Sequence, residues 1–169
     1  MLTVDLARLE REGPLRLEAE LPEDDPCWDG SGLRFARPVA IVLSASLAGS
    51  GEVVVRGGVR SGVAMACRRC LEEVSYDLDE QVTLVFAPAD LLADEEGDVR
   101  VLEPGARLLD VLPALREEIL LAVPNYVVCD DGCRGLCGGC GANLNDETCQ
   151  CVPEGPDPRW AALDALRNE

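Results

Sequence analysis

The sequence predicts an α+β fold: an antiparallel β-meander, or partly open barrel, with one packed helix and a C-terminal Cys-rich zinc-binding segment. Three observations carry this. Period-two hydrophobicity runs from Pro38 to Phe86, an apolar helical stripe follows at 108–122, and eight of nine cysteines fall into four close pairs. Residues 1–125 read as the β-rich unit and residues 126–169 as the Cys-rich tail.

Within the meander, Val39, Ile41, Leu43, Ala45 and Leu47 share one parity, and Gly49-Ser50-Gly51 signals a turn. Val53, Val55, Gly57, Val59, Val63, Met65 and Cys67 continue the pattern, with Arg56 and Arg60 on the opposite face. Val74, Tyr76, Leu78, Val82, Leu84 and Phe86 then oppose Ser75, Asp77, Asp79, Gln81 and Thr83. Glu80 interrupts that parity and Gly57-Gly58 weakens the preceding strand, so both positions are expected to be bulges or bends. Leu2–Leu9 and Leu15–Leu21 are expected to add strands.

Residues 90–106 are acidic and broken by Gly97, Pro104 and Gly105, which predicts loop. A helix over about 108–122 follows, with Asp110 as N-cap and Pro113 in the first turn. Leu108, Val111, Leu112, Leu115, Ile119 and Leu120 form its apolar stripe, and Pro124 ends it. Near the end, Asp157-Pro158 suits the start of a short helix carrying Trp160, Leu163 and Leu166.

Composition narrows the chemistry. The 169 residues are 47% hydrophobic, enough for a core. Thirty-two acidic residues face 15 basic ones, for a net charge of −17, and every basic residue is Arg. Without His there is no Ser-His-Asp or Cys-His nucleophile and no His-ligated catalytic zinc. Without Lys there is no P-loop and no Schiff-base lysine. The balance opposes a broad electrostatic grip on nucleic acid and favours a basic partner, although a local Arg patch overrides that argument. The segment Met1–Glu10 lacks the pattern of a signal peptide, and no apolar run suits a membrane span. A cytoplasmic location follows, where clustered cysteines mean metal more often than disulfides.

The pairs are Cys67-x-x-Cys70, Cys129-x-x-x-Cys133, Cys137-x-x-Cys140 and Cys149-x-Cys151. A two-residue spacer lets both sulfurs of a pair reach one ion, and four thiolates make a closed tetrahedral zinc site. Gly141 frees the turn after Cys140. Two partitions remain open. Two zinc ions per chain could be held by Cys67, Cys70, Cys129 and Cys133, and by Cys137, Cys140, Cys149 and Cys151. Alternatively, Cys129, Cys133, Cys137 and Cys140 could form one site and leave four thiols idle. In the first partition a metal staples a hairpin tip to the tail. Cys27, beside Trp28, reads as a spare thiol.

Four thiolates around one divalent zinc leave net negative charge, which Arg68 and Arg69 are placed to offset. The sharper reading makes Arg68, Arg69 and Arg134 candidate contacts to RNA phosphate or to a partner. Asp130-Asp131-Gly132 reads as a turn, Asn143 and Asn145 as turn hydrogen-bond formers, and Asp94-Glu95-Glu96 as solvated loop. Thiol redox chemistry would require a thioredoxin-like βαβ setting, which the antiparallel flanks of Cys67 and Cys70 do not supply. No catalytic residue and no small-molecule substrate are indicated.

Cys67-Arg68-Arg69-Cys70-Leu71-Glu72, Leu120-Leu121-Ala122-Val123-Pro124, the run from Cys133 through Cys137-Gly138-Gly139-Cys140-Gly141-Ala142-Asn143-Leu144-Asn145, Cys149-Gln150-Cys151 and Asp157-Pro158-Arg159-Trp160 occur in that order. This order resembles the YceD family of bacterial proteins over roughly residues 36–167. Gly138 departs from the Pro usual there. The resemblance implies a role in accumulation or processing of large-subunit (23S) ribosomal RNA. It also implies an association with the large-subunit precursor and a small basic zinc-containing ribosomal protein. Relatives that lack the Gly-Leu-Cys segment but keep counterparts of Cys67 and Cys70 and of a ligand near Cys129 and Cys133 imply that those two pairs share a site. The resulting expectation is a non-enzymatic zinc-binding assembly factor. A rubredoxin-like iron carrier and a cytosolic adaptor unrelated to ribosomes are the alternatives.

Overall fold

The structure is a computed structural model that describes residues 2–49, 51–89, 99–152 and 159. Its elements are β1 (Thr3–Asp5), α1 (Leu6–Glu12), β2 (Leu15–Leu21), β3 (Val39–Leu47), β4 (Val53–Ala66), β5 (Glu73–Pro88), β6 (Val99–Leu102), β7 (Leu108–Asp110) and α2 (Leu112–Ala122). β2 through β6 form one sheet in sequence order, and β1 pairs with β7 in a second, two-stranded sheet. The order β2-β3-β4-β5-β6 leaves the sheet open, with β2 and β6 at its edges.

Alternation decides which face is buried. Val39, Ile41, Leu43 and Ala45 on β3, Val53, Val55, Val59 and Val63 on β4, and Leu78, Val82, Leu84 and Phe86 on β5 form the core with Leu115 and Ile119 of α2. At 25 cal/mol per Å² of apolar area, each buried Leu or Val side chain contributes about 1.5–3 kcal/mol.

Neither expected bulge exists. The β3–β4 and β4–β5 registers run without interruption through Gly57 and Glu80. Gly57 is required instead by a close approach. A Cβ there would lie 2.1 Å from the Val42 carbonyl oxygen, so no side chain fits between β3 and β4.

Three further expectations are corrected. Leu6–Glu12 is helical, not extended: Asp5 accepts the Arg8 amide at 2.9 Å as N-cap, and Arg8 pairs with Glu12 one turn on. Residues 99–102, expected as loop, form β6 parallel to β5, with Val85 opposite Val99. Residues 108–110 are strand β7 rather than the first helical turn, because Leu109 pairs with Val4. Leu108 is therefore 60% exposed instead of lining the helix stripe. Asp110 still serves α2 from one position outside the N-cap, accepting the Leu112 amide at 3.0 Å. Trp160, Leu163 and Leu166, together with Asp94-Glu95-Glu96, lie outside the described residues. Among the described residues no helix is long and apolar enough to cross a membrane.

Candidate metal centre

The cysteines gather into two groups of four: Cys67, Cys70, Cys129 and Cys133, and Cys137, Cys140, Cys149 and Cys151. In each group the four sulfurs lie within 4.8 Å of one another. A tetrahedral zinc with about 2.3 Å Zn–S bonds sets its sulfurs about 3.8 Å apart. Cys67 and Cys133 stand 3.8 Å apart and Cys70 and Cys129 3.6 Å, while Cys137 and Cys149 approach to 3.3 Å. Either set can hold a metal ion of that size with small adjustments.

The first pair of each group is built the same way. The Cys67 carbonyl accepts the Leu71 amide at 2.9 Å, and the Cys137 carbonyl accepts the Gly141 amide at 2.8 Å. The Arg69 and Cys70 amides point at the Cys67 sulfur at 3.4 and 3.5 Å, and the Gly139 amide points at Cys137 at 3.4 Å. These donors stabilise thiolate. The Cys70 amide leads in drawing the Cys67 thiol down to about 6, and the Cys140 amide does the same for Cys137, also to about 6. Their neighbours move oppositely. Cys129 is pushed up to about 12, first by Cys133, and Cys151 up to about 12, first by Cys140, because a thiol beside a thiolate keeps its proton. A divalent cation held by the four sulfurs of either group would take the place of those protons and let all four ionise.

The two groups differ in their surroundings. Cys67, Cys70 and Cys133 are buried in a small satellite core with Val74, Val128 and Leu136. They sit where the β4–β5 tip meets the chain returning from α2. That return is held by the Arg68 amide on the Val127 carbonyl at 2.9 Å and the Leu136 amide on the Arg69 carbonyl at 3.0 Å. Gly135 permits the second contact: it has φ +72°, and a Cβ there would press on the Arg69 carbonyl oxygen at 3.0 Å. The second group lies on a local loop, with Cys140 and Cys151 exposed.

Two of the three arginines beside the cysteines, Arg68 and Arg69, engage backbone through their guanidinium groups. Arg68 donates to the Asn125 carbonyl at 3.0 Å, and Arg69 to the Asp131 and Cys133 carbonyls at 2.9 and 3.1 Å. The Arg134 amide donates to the Asn145 side chain at 2.7 Å. Asp130 closes its turn by accepting the Gly132 amide at 2.7 Å. Asn143 accepts the Asn145 amide at 3.1 Å, as a turn former should. Sequence reasoning missed the second task of Asn145, whose side-chain amide donates to the Cys133 sulfur at 3.3 Å. Its place in Asn143-Leu144-Asn145, next to a cysteine pair, was the one signal available. Cys27 belongs to neither group.

The fold and site define an α+β protein with one half-buried and one local four-cysteine cluster. The chain belongs to the YceD family: the family model, described as "Large ribosomal RNA subunit accumulation protein YceD", matches residues 55–167, which contain all eight clustered cysteines. The uncharacterized protein Rv2926c of Mycobacterium tuberculosis is 32% identical over 99% of this chain and 86% of its own length. The chloroplastic "Large ribosomal RNA subunit accumulation protein YCED homolog 1" of Arabidopsis thaliana is 33% identical over 39% of this chain and 21% of its own length. The Zea mays protein of the same description is 25% identical over 74% and 52%. No solved structure matches.

Proposed function

We propose that this protein is a non-enzymatic, zinc-stabilised assembly factor of the large ribosomal subunit that supports accumulation and processing of 23S ribosomal RNA in the cytoplasm. The observation that carries the reading is the family match over residues 55–167, which spans both cysteine clusters. Thiolate-only donor sets suit zinc, which when bound closes four sulfurs into a cross-link with no open position for water. Cys67, Cys70, Cys129 and Cys133 would hold one ion, and Cys137, Cys140, Cys149 and Cys151 the other.

The chain's own residues then do mechanical work. The first cluster fixes the tip of the β4–β5 hairpin to the segment after α2, and the second shapes the loop between Cys137 and Cys151. With 32 acidic residues against 15 arginines, the surface suits a basic ribosomal protein as a partner on the precursor particle. Arg134, an exposed residue, remains a candidate contact to that particle, whereas Arg68 and Arg69 already hold backbone carbonyls.

Two measurements test this. Elemental analysis of untagged protein should give about two zinc per chain; stoichiometric iron would put an electron carrier first. Sedimentation of cell extract should place the protein with large-subunit precursors. Its absence there would favour an adaptor unrelated to ribosomes.

A further inference from the structure

The outer face of the five-stranded sheet carries chemistry that neither cluster uses. Cross-strand pairing sets Arg16, Ser44, Arg56 and Thr83 in one row across β2 to β5, and Glu20, Ala40, Arg60 and Asp79 in another. Glu18, Val42, Gly58 and Gln81 form the row between them. All of these are exposed except the half-buried Gly58. Two shallow hollows open here and share Val42: one of about 320 Å³ between Arg16 and Arg56, the other of about 280 Å³ beside Arg60 and Gln81. Together they make a shallow trough with Val42 at its middle, and its rows carry three arginines, Arg16, Arg56 and Arg60, among three carboxylates, Glu18, Glu20 and Asp79.

We infer that this trough binds single-stranded RNA, with phosphates at Arg16, Arg56 and Arg60. Arg56 has no ion pair or side-chain hydrogen bond among the described residues, in a chain with acid enough to neutralise every arginine. Arg16 pairs with Glu18, and Arg60 with Asp79 at 3.1 Å, but all four side chains are more than half exposed. Exposed pairs of this kind are worth about 0–1 kcal/mol, so a phosphate that accepts two guanidinium hydrogen bonds displaces the carboxylate at little cost.

Spacing argues for a strand rather than a lone anion. With about 4.8 Å between strands and 3.3 Å per residue, Arg16 lies about 10 Å from Arg56, and Arg60 about 13 Å along β4. An extended polyanion spans those separations. Ala40 lets a base approach the sheet, guanidinium planes can stack on it, and Ser44, Thr83 and Gln81, whose side-chain amide lies over Gly58, offer hydrogen bonds to base edges. The inference extends the proposed role by naming the surface that meets RNA.

The test is fluorescence anisotropy of a fluorescein-labelled single-stranded oligoribonucleotide with full-length, zinc-loaded protein, across roughly 50 to 200 mM salt. Binding should weaken with salt at a log–log slope of about −2, or about −0.7 for each of three phosphates. The variant with Arg16→Ala, Arg56→Ala and Arg60→Ala should bind at least about tenfold more weakly and lose most of that slope. Glu18→Gln with Asp79→Asn should bind more tightly by freeing two arginines, an effect that damage to the fold cannot mimic. No binding at low salt, an unchanged slope in the arginine variant, or equal competition by polyglutamate overturns the inference. Failure to bind RNA by a protein that still sediments with large-subunit precursors sinks this inference alone. Absence from those precursors sinks the proposed role, whatever the anisotropy shows.

Discussion

The side-chain amide of Asn145, on the loop of the second cysteine cluster, donates to the sulfur of Cys133 in the first at 3.3 Å. The same residue's oxygen accepts the Arg134 amide at 2.7 Å, so Asn145 is held from two sides. The amide leads in keeping the Cys133 thiol below its usual range. One side chain thus links two clusters that the chain presents in succession.

Replacing it with leucine removes a donor to a ligand sulfur. Asn145→Leu should weaken zinc at the first cluster by about 10–100-fold, the usual cost of losing a supporting hydrogen bond at a metal site. Competition with a chromophoric chelator reads this directly. Unchanged affinity would mean that the contact carries no energy.

The clusters should release metal in order. In the second cluster Cys140 and Cys151 are exposed and Cys137 and Cys149 half-buried, whereas in the first Cys129 is exposed but Cys67, Cys70 and Cys133 are buried at the hairpin tip. A chelator should therefore strip the second ion in a faster phase, with the β-sheet circular dichroism intact. A single phase for both ions would argue that they act as one unit.

Leu71 occupies the place that Gly141 holds in the other pair, and its φ of +65° puts a branched side chain in the left-handed region. It is 64% exposed, so little packing is lost with it. Left-handed backbone costs a non-glycine residue about 1–2 kcal/mol, partly offset by the unfolded-chain entropy of glycine. Leu71→Gly should raise stability by about 0.5–1 kcal/mol in urea unfolding of the metal-loaded protein. Destabilisation would show that Leu71 packs in a way its exposure hides.

Gly57→Ala should be severe. Its Cβ would sit 2.1 Å from the Val42 carbonyl oxygen, an atom of the β3 backbone that cannot rotate away. A loss of about 3 kcal/mol or more, or insoluble protein, is expected where a ladder must be forced apart. Near-normal unfolding would mean that β3 yields more easily than a paired strand should.

Cys27 should resist alkylation. Burial, then the Asp25 carboxylate nearby, push its thiol up to about 12, so at pH 8 only about one molecule in ten thousand carries the thiolate. Mass spectrometry after iodoacetamide treatment of chelated protein should find Cys137 and Cys140 modified well before Cys27. Early labelling of Cys27 would contradict its burial.

What the sequence determined by itself is local. Alternation placed β3, β4 and β5 and turned their apolar parity inward, because successive side chains on a strand must face opposite ways. Close cysteine spacing marked each knuckle, since both sulfurs of a pair reach one ion only over a short turn. Tertiary structure decided everything that joins distant segments. β6 became a strand because the edge of β5 was free to pair with it, and Leu108–Asp110 because β1 lay beside it, choices no periodicity within those short segments records. The meeting of Cys67 and Cys70 with Cys129 and Cys133, and of Asn145 with Cys133, likewise depends on the chain returning from α2 across the hairpin tip. Contacts of that kind are set by which surfaces the core leaves adjacent: pair spacing offered this grouping of cysteines as one of two without choosing it, and of the Asn145 contact it carried no trace.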